Sequence, residues 1–355
     1  MIYSEPRLPP DENSRAFSQL PPEVQAARLQ QLAWAAVERW PLECVRLEPI
    51  KVRENAVYAV HMADNRRAVL RIHRLGYHSD ASLRSELSWM QSLEAAGMEV
   101  PRPILSRAGN PFERVTCPDV PDARQVDLFE WIPGRQLGSV HEGVASDATE
   151  IGRIYSVVGE LAARMHNISS AWNAPAGFTR HSWCDAGLVG ETPLWGRFWE
   201  LEALSAGQRA LFERLRARVT QELLAFGKSP DRFGLIHGDL VPENVLIEAD
   251  QLRIIDFDDA GFGWHMFELA TSLYFIRRES FYETARDALL AGYRRHRALP
   301  EEHARLLPLF LAARGTTYLG WVHTRKGERV ATELTPQLIE LAGAAAEDYL
   351  SRVRG

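Results

Sequence analysis

The sequence predicts an α+β fold in two lobes, a small antiparallel β lobe with one helix and a larger, mainly helical lobe. Three observations predict it. Residues 45–75 alternate short β-rich runs with polar turns. After residue 145, apolar positions recur almost throughout at helical spacing. One hairpin pattern, near 244–256, interrupts that helical half. With 355 residues, 46% of them hydrophobic, the chain is long enough for more than one lobe.

In chain order, residues 1–21 are polar and proline-rich and read as a loose arm with no apolar leader segment. PPEVQAARLQQLAWAAVERW (21–40) predicts an amphipathic helix. Leu29, Leu32, Ala33, Ala36, Val37 and Trp40 share one face, and the prolines suit the first turn. CVRLEPI, NAVYAVHM and RRAVLRIHR follow as strands separated by turns such as ADNRR. Residues 79–97 predict the helix of the small lobe, with Ser79 or Asp80 as N-cap and Gly97 as its stop. VPRPIL (100–105) is extended, because each proline disfavours helix at the residue before it. QVDLFEWIPG (125–134) is a strand ending in a Pro-Gly turn. Helices are expected over 147–169, 194–206, 208–227, 266–278, 281–297, 301–324 and 335–353, with NVLIE and QLRIIDF as the strong strand signals of this half. The expected divisions are 1–44 for arm and first helix, 45–131 for the small lobe and 132–355 for the large one.

Charged residues make up 25% of the chain, with the signs interspersed and a net charge of −6. Nothing in that pattern attracts a nucleic acid. Cys44, Cys117 and Cys184 are odd in number and far apart, so they suggest neither a disulfide framework nor a zinc site. No run approaches the ~18 apolar residues of a membrane span. A cytoplasmic protein with no membrane partner is expected; the sequence does not indicate an oligomeric state.

The chemistry concentrates in LIHGDLVPENVLI (235–247) and IIDFDDAGFGW (254–264). If VLIE and LRII form a hairpin about Ala249-Asp250, Val245 faces Ile254 and Asn244 faces Ile255. The open end then holds Asn244 and Asp256 side by side, with Asp239 on the loop leading in. Mg²⁺ takes hard oxygen ligands, often one or two from the protein and the rest from phosphates and water. Asn244 and Asp256 supply such ligands, and Asp239 can orient an acceptor hydroxyl and take its proton. The Asp239–Asn244 offset is that of a kinase catalytic loop, Asp-x-x-x-x-Asn.

These two motifs resemble the catalytic loop and second metal-binding strand of the aminoglycoside phosphotransferase and choline kinase-like family, which has a protein-kinase-like fold. The resemblance extends over about residues 45–330. It implies transfer of the γ-phosphate of ATP, with Mg²⁺, to a hydroxyl of a small molecule such as an aminoglycoside, choline or homoserine. ENAVYAV (54–60) resembles the phosphate-covering hairpin without a protein kinase's glycines. Arg71 in AVLRIHR stands where protein kinases carry a phosphate-binding lysine, and Glu86 would be its ion-pair partner. FEWIPG resembles the hinge, whose backbone at Glu130, Trp131 and Ile132 would hydrogen-bond adenine. Glu268 sits where an acidic residue anchors the catalytic loop, and His237 is expected to order that loop.

The second metal motif reads Asp-Phe-Asp rather than Asp-Phe-Gly, and no Ala-Pro-Glu segment follows. Both points weaken the alternative of a Ser/Thr protein kinase of the stress-response type. A non-catalytic nucleotide-binding module is a second alternative, although Asp239, Asn244 and Asp256 are all present. A metal-dependent hydrolase would need more histidines near these motifs. Asp258 is a further candidate for a metal or a substrate cation. Trp183, Trp195 and Trp199 offer aromatic faces for a cation, against the plainer reading of core packing. Asp185, Glu191, Glu200 and Glu202 are the carboxylates that an aminoglycoside pocket would draw on. The acceptor itself, and ATP against GTP, are not readable from the residues.

Overall fold

A computed structural model describes residues 17, 19–53, 55–138, 144 and 148–353. Most of the arm expected over 1–21, and Glu54 of the ENAVYAV run, lie outside them. The described residues fall into two compact units, one running to Pro133 and including Ala174–Thr179, the other holding Gly134–Asn173 and everything from Arg180 onward.

The first unit is built on a five-stranded sheet of order β1-β2-β3-β5-β4, antiparallel throughout. Its strands are β1 (Cys44–Val52), β2 (Ala56–Met62), β3 (Arg67–Ile72), β4 (Phe112–Cys117) and β5 (Val120–Glu130). Asn65 turns the β2–β3 hairpin at φ 65°, a conformation that asparagine tolerates better than most residues. Helix α1 (Pro22–Val37) lays Leu32, Ala33, Ala36 and Val37 on this sheet and shares one core with Tyr58, Val60, Leu70 and Leu128. Helix α2 (Asp80–Ala95) starts where Ser79 Oγ accepts the Ser82 N–H, and Gly97 follows it at φ 83°. It buries Leu83, Leu87, Met90 and Leu93 as its periodicity predicts, and Glu86 with them. The 100–105 segment is extended and is bridged from Pro103 to Phe129, near the end of β5.

The second unit is mainly helical, with α3 (Ala148–Ala171), α4 (Asp185–Val189), α5 (Ala206–Phe226), α6 (His265–Leu273), α7 (Tyr282–Arg294), α8 (Glu301–Ala304), α9 (Leu307–His323) and α10 (Arg329–Arg352). Two small sheets interrupt the helices. One has the order β10-β9-β6, from β6 (Arg135–Gln136), β9 (Val245–Glu248) and β10 (Gln251–Ile254). The other has the order β7-β11-β8, from β7 (Ser182–Trp183), β8 (Phe233–Ile236) and β11 (Gly261–Trp264). The β9–β10 hairpin pairs Val245 with Ile254 and Glu248 with Gln251, the register read from the sequence.

The helix expected over 194–206 is absent, and a single 3₁₀ turn at Phe198–Glu200 takes its place. Gly196 is at φ 113°, and a Cβ there would lie 2.4 Å from Thr324 Cγ2 and 3.0 Å from the Gly320 carbonyl. The chain must lie flat against α9 at that point, and a helical backbone does not permit it. Strands β4, β7, β8 and β11 carried no strong signal. Three of the four are only two to four residues long, too short for an alternation to show.

Candidate active site

In the second unit the site is built around the turn from β8 into β9. Gly238, at φ 79°, makes a bend that a side chain would block, since its Cβ would meet the Asp259 carbonyl at 2.5 Å and Trp183 Nε1 at 2.6 Å. The bend is held from beneath by Glu268 of α6, which accepts the His237 N–H at 2.6 Å and the Gly238 N–H at 3.0 Å. Burial pushes the Glu268 carboxyl up to about 7 against the pull of those two N–H groups. His237 Nε2 donates to the Ile255 carbonyl at 3.0 Å, and its Nδ1 accepts the Asp239 N–H at 3.3 Å. Burial brings its pKa down to about 4, so the ring is neutral at physiological pH and joins the two motifs structurally.

Asp239 and Asn244 are in contact. Asn244 Nδ2 donates to Asp239 Oδ2 at 2.9 Å and to the Asp239 carbonyl at 2.8 Å. Both bonds use the amide nitrogen, which leaves Oδ1 as the atom with which Asn244 can meet a cation. The Asn244 carbonyl accepts the Ile255 N–H at 2.9 Å, which brings Asp256 to the same end of the hairpin. Asp256 is at φ 63°, an uncommon state for a non-glycine residue. The segment after it is clamped by three side chains from residues 180–183. Arg180 Nε donates to the Ala260 carbonyl at 2.6 Å and Nη2 to that of Asp258 at 2.5 Å. Trp183 Nε1 reaches the Asp259 carbonyl at 2.9 Å, and His181 Nε2 reaches it at 3.0 Å.

In the first unit Arg71 and Glu86 pair at 2.7 Å, both buried. The sequence reading missed a second carboxylate. Asp127 lies directly opposite Arg71 in the β3–β5 register and accepts from its Nε at 3.1 Å and its Nη2 at 2.7 Å. His73 Nε2 meets the same carboxylate at 3.0 Å. Burial raises the Asp127 carboxyl, but Arg71 and His73 outweigh it and the net shift is downward. At the end of β5, the Glu130 N–H is engaged by the Arg102 carbonyl at 2.9 Å, and the Arg67 guanidinium lies 4.0 Å from the centre of the Trp131 ring. The bond to Arg102 occupies the Glu130 N–H and does not involve the Glu130 carbonyl.

The aromatic cluster does not form an open cage. Trp183 and Trp195 meet edge to face, with ring centres 5.2 Å apart. The guanidinium of Arg314, from α9, lies 4.9 Å from the centre of Trp195, and that of Arg216 lies 3.8 Å from Trp199. The four carboxylates considered for a polycationic acceptor are matched by cations of the chain itself. Asp185 pairs with Lys228 at 2.5 Å, Glu191 with Arg216 at 2.5 Å, Glu200 with Arg197 at 2.8 Å, and Glu202 with Lys326.

Residues 46–306 match the model of the phosphotransferase enzyme family, APH. The chain belongs to this family. An uncharacterised protein of Deinococcus radiodurans is 30% identical over 273 residues, covering 74% of this chain and 73% of the relative. The amicoumacin kinase of Bacillus subtilis is 25% identical, over 76% of this chain and 77% of its own. Among solved structures, a microcompartment-associated aminopropanol kinase superposes with a TM-score of 0.80 at 30% identity, covering 91% of this chain and 98% of that one. The fold is protein-kinase-like, and the protein is a phosphotransferase of the small-molecule kinase kind. No helix among the described residues is long and apolar enough to cross a membrane.

Proposed function

We propose that this phosphotransferase moves the γ-phosphate of ATP, with Mg²⁺, onto the hydroxyl of a small alcohol that also carries an amine. The observation that carries this reading is the meeting of Asp239, Asn244 and the Asp256 strand at one end of the β9–β10 hairpin. Asp239 orients the acceptor hydroxyl and takes its proton as the oxygen attacks. Asn244, through Oδ1, and Asp256 would hold Mg²⁺, a hard cation suited to an amide oxygen and a carboxylate. When bound, the ion neutralises charge developing on the phosphate oxygens.

Arg71 is the proposed contact to the non-transferred phosphates, fixed by Glu86 and Asp127, and the Glu130 carbonyl with the backbone at Trp131 and Ile132 is the proposed adenine edge. With little covalent work left to the protein, positioning and charge neutralisation supply the rate. The amine-bearing acceptor is supported by the relatives, among them an aminopropanol kinase and the homoserine kinase of Nitrobacter winogradskyi. The pairing of Asp185, Glu191, Glu200 and Glu202 within the chain argues against an acceptor carrying many ammonium groups.

The test is ADP formation from Mg-ATP over a panel of 1-amino-2-propanol, ethanolamine, choline, homoserine, an aminoglycoside and a generic protein. Turnover on one of the small amino alcohols is expected, and Asp239→Asn should lower it by about 10²–10⁴-fold. Phosphorylation of the generic protein alone, or turnover unchanged in Asp239→Asn, would overturn the reading.

A further inference from the structure

Helix α9 reads LPLFLAARGTTYLGWVH, and Arg314 is its one arginine or lysine. Arg314 is fully buried. Taking a guanidinium out of water costs several kcal/mol unless good geometry compensates. Here the compensation is directed at one place. Arg314 Nη2 donates to Asp239 Oδ1 and, at 2.7 Å, to the Tyr318 hydroxyl, while Nη1 donates to the Gly238 carbonyl at 3.1 Å. The rings of Tyr318, Trp195 and Phe267 surround the guanidinium, with centres 4.4, 4.9 and 5.6 Å away.

The consequence for Asp239 is geometric. Asn244 holds Oδ2, Arg314 holds Oδ1, and Arg314 also holds the peptide carbonyl just before it. The carboxylate is therefore gripped from both sides, and the backbone that carries it is gripped by the same fork. A lysine could not reproduce this, because an ammonium is a point charge without a planar pair of donors. The aromatic rings hold the guanidinium in place, and the face they offer a cation is filled by the protein.

We propose that Arg314 is the positioning residue for Asp239, fixing the plane of its carboxylate so that the acceptor hydroxyl meets one defined oxygen. The inference rests on Asp239 being the group that receives the acceptor. Because misplacement by about 1 Å can cost on the order of a hundredfold in rate, the loss belongs in kcat rather than in nucleotide binding.

The experiment compares Arg314→Met, Arg314→Lys, Arg314→Ala and Asp239→Asn with the wild-type chain. It reads ADP formation from Mg-ATP with 1-amino-2-propanol as the acceptor, and with water as the acceptor if that alcohol is not turned over. Arg314→Met should lower kcat about a hundredfold and leave the KM for ATP within about twofold. Arg314→Lys should recover part of the loss. In Arg314→Ala, millimolar methylguanidinium should restore turnover, and the same concentration of ammonium should not. A folded Arg314→Met with wild-type kcat, beside an inactive Asp239→Asn, would overturn the proposal. If the Met and Ala variants fail to fold, Arg314→Lys decides alone, since wild-type kcat in that variant would equally overturn it. Turnover retained in Asp239→Asn would instead remove the reading on which the inference rests.

Discussion

Glu268 shows how a single carboxylate sets the shape of the turn that carries Asp239. It accepts two backbone N–H groups that have no strand or helix partner in that bend. Glu268→Gln keeps the volume but turns one acceptor into a donor, so the N–H of His237 or Gly238 would face another N–H. An unsatisfied buried donor costs about 1–3 kcal/mol, and a fall in thermal midpoint of the variant measures it. A midpoint equal to wild type would show that the turn holds without this anchor. At this scale, what was legible in the sequence was what is local. Asp239 and Asn244 stand five apart, and chain spacing alone brought them together. Asp127 and Arg314 were missed because their partners lie 56 and 75 residues away. Each had a faint signal. For Arg314 it was a lone arginine in an apolar helix. For Asp127 it was an acidic residue in the middle of a buried strand, which would have been decisive once β3 and β5 were known to pair.

Among the elements, the long helices were legible because their apolar stripes repeat over several turns, while two-residue strands such as β6 and β7 have nothing to repeat. Which helices touch was not legible at all. Helices α3 and α7 cross so closely that a Cβ on Gly159 would sit 2.1 Å from the Leu289 carbonyl, and one on Gly292 would sit 2.0 Å from that of Ser156. Two glycines that weaken their own helices by roughly 1 kcal/mol each relative to alanine thus permit the crossing. In Gly159→Ala the gain in helix propensity is set against backbone overlap, and backbone cannot step aside as a flexible side chain can. The overlap should win by about 1–3 kcal/mol, read as a lower urea midpoint. A variant more stable than wild type would mean that the helices part without penalty.

For the whole molecule, the buried titratable groups set how stability follows pH. Burial lowers His166 well below the usual imidazole range, His237 to about 4 and His265 to about 3. Below about pH 6.5, the ordinary imidazole value, the unfolded chain binds three protons at these positions that the folded one refuses, and stability falls as pH falls. Glu268 works the other way. Its raised carboxyl makes the folded state bind a proton between its ordinary value of 4.5 and about 7, so its contribution is largest at low pH and is lost as pH rises through 7. Three imidazoles outweigh one carboxyl. The net slope between pH 6.5 and 4.5 should approach two protons, about 2–3 kcal/mol per pH unit at most. Asp127, held low by Arg71 and His73 against its burial, adds its own loss only at lower pH, below the ordinary range of a carboxylate. Acid unfolding should therefore begin near pH 6, before the surface carboxylates titrate. Urea midpoints at pH 7, 6 and 5 test this. His265→Phe should flatten the slope by about one proton, even if the larger ring lowers the midpoint at every pH. Midpoints that stay level from pH 7 to 5 in the wild-type chain would mean that the buried imidazoles take up protons without opening the fold.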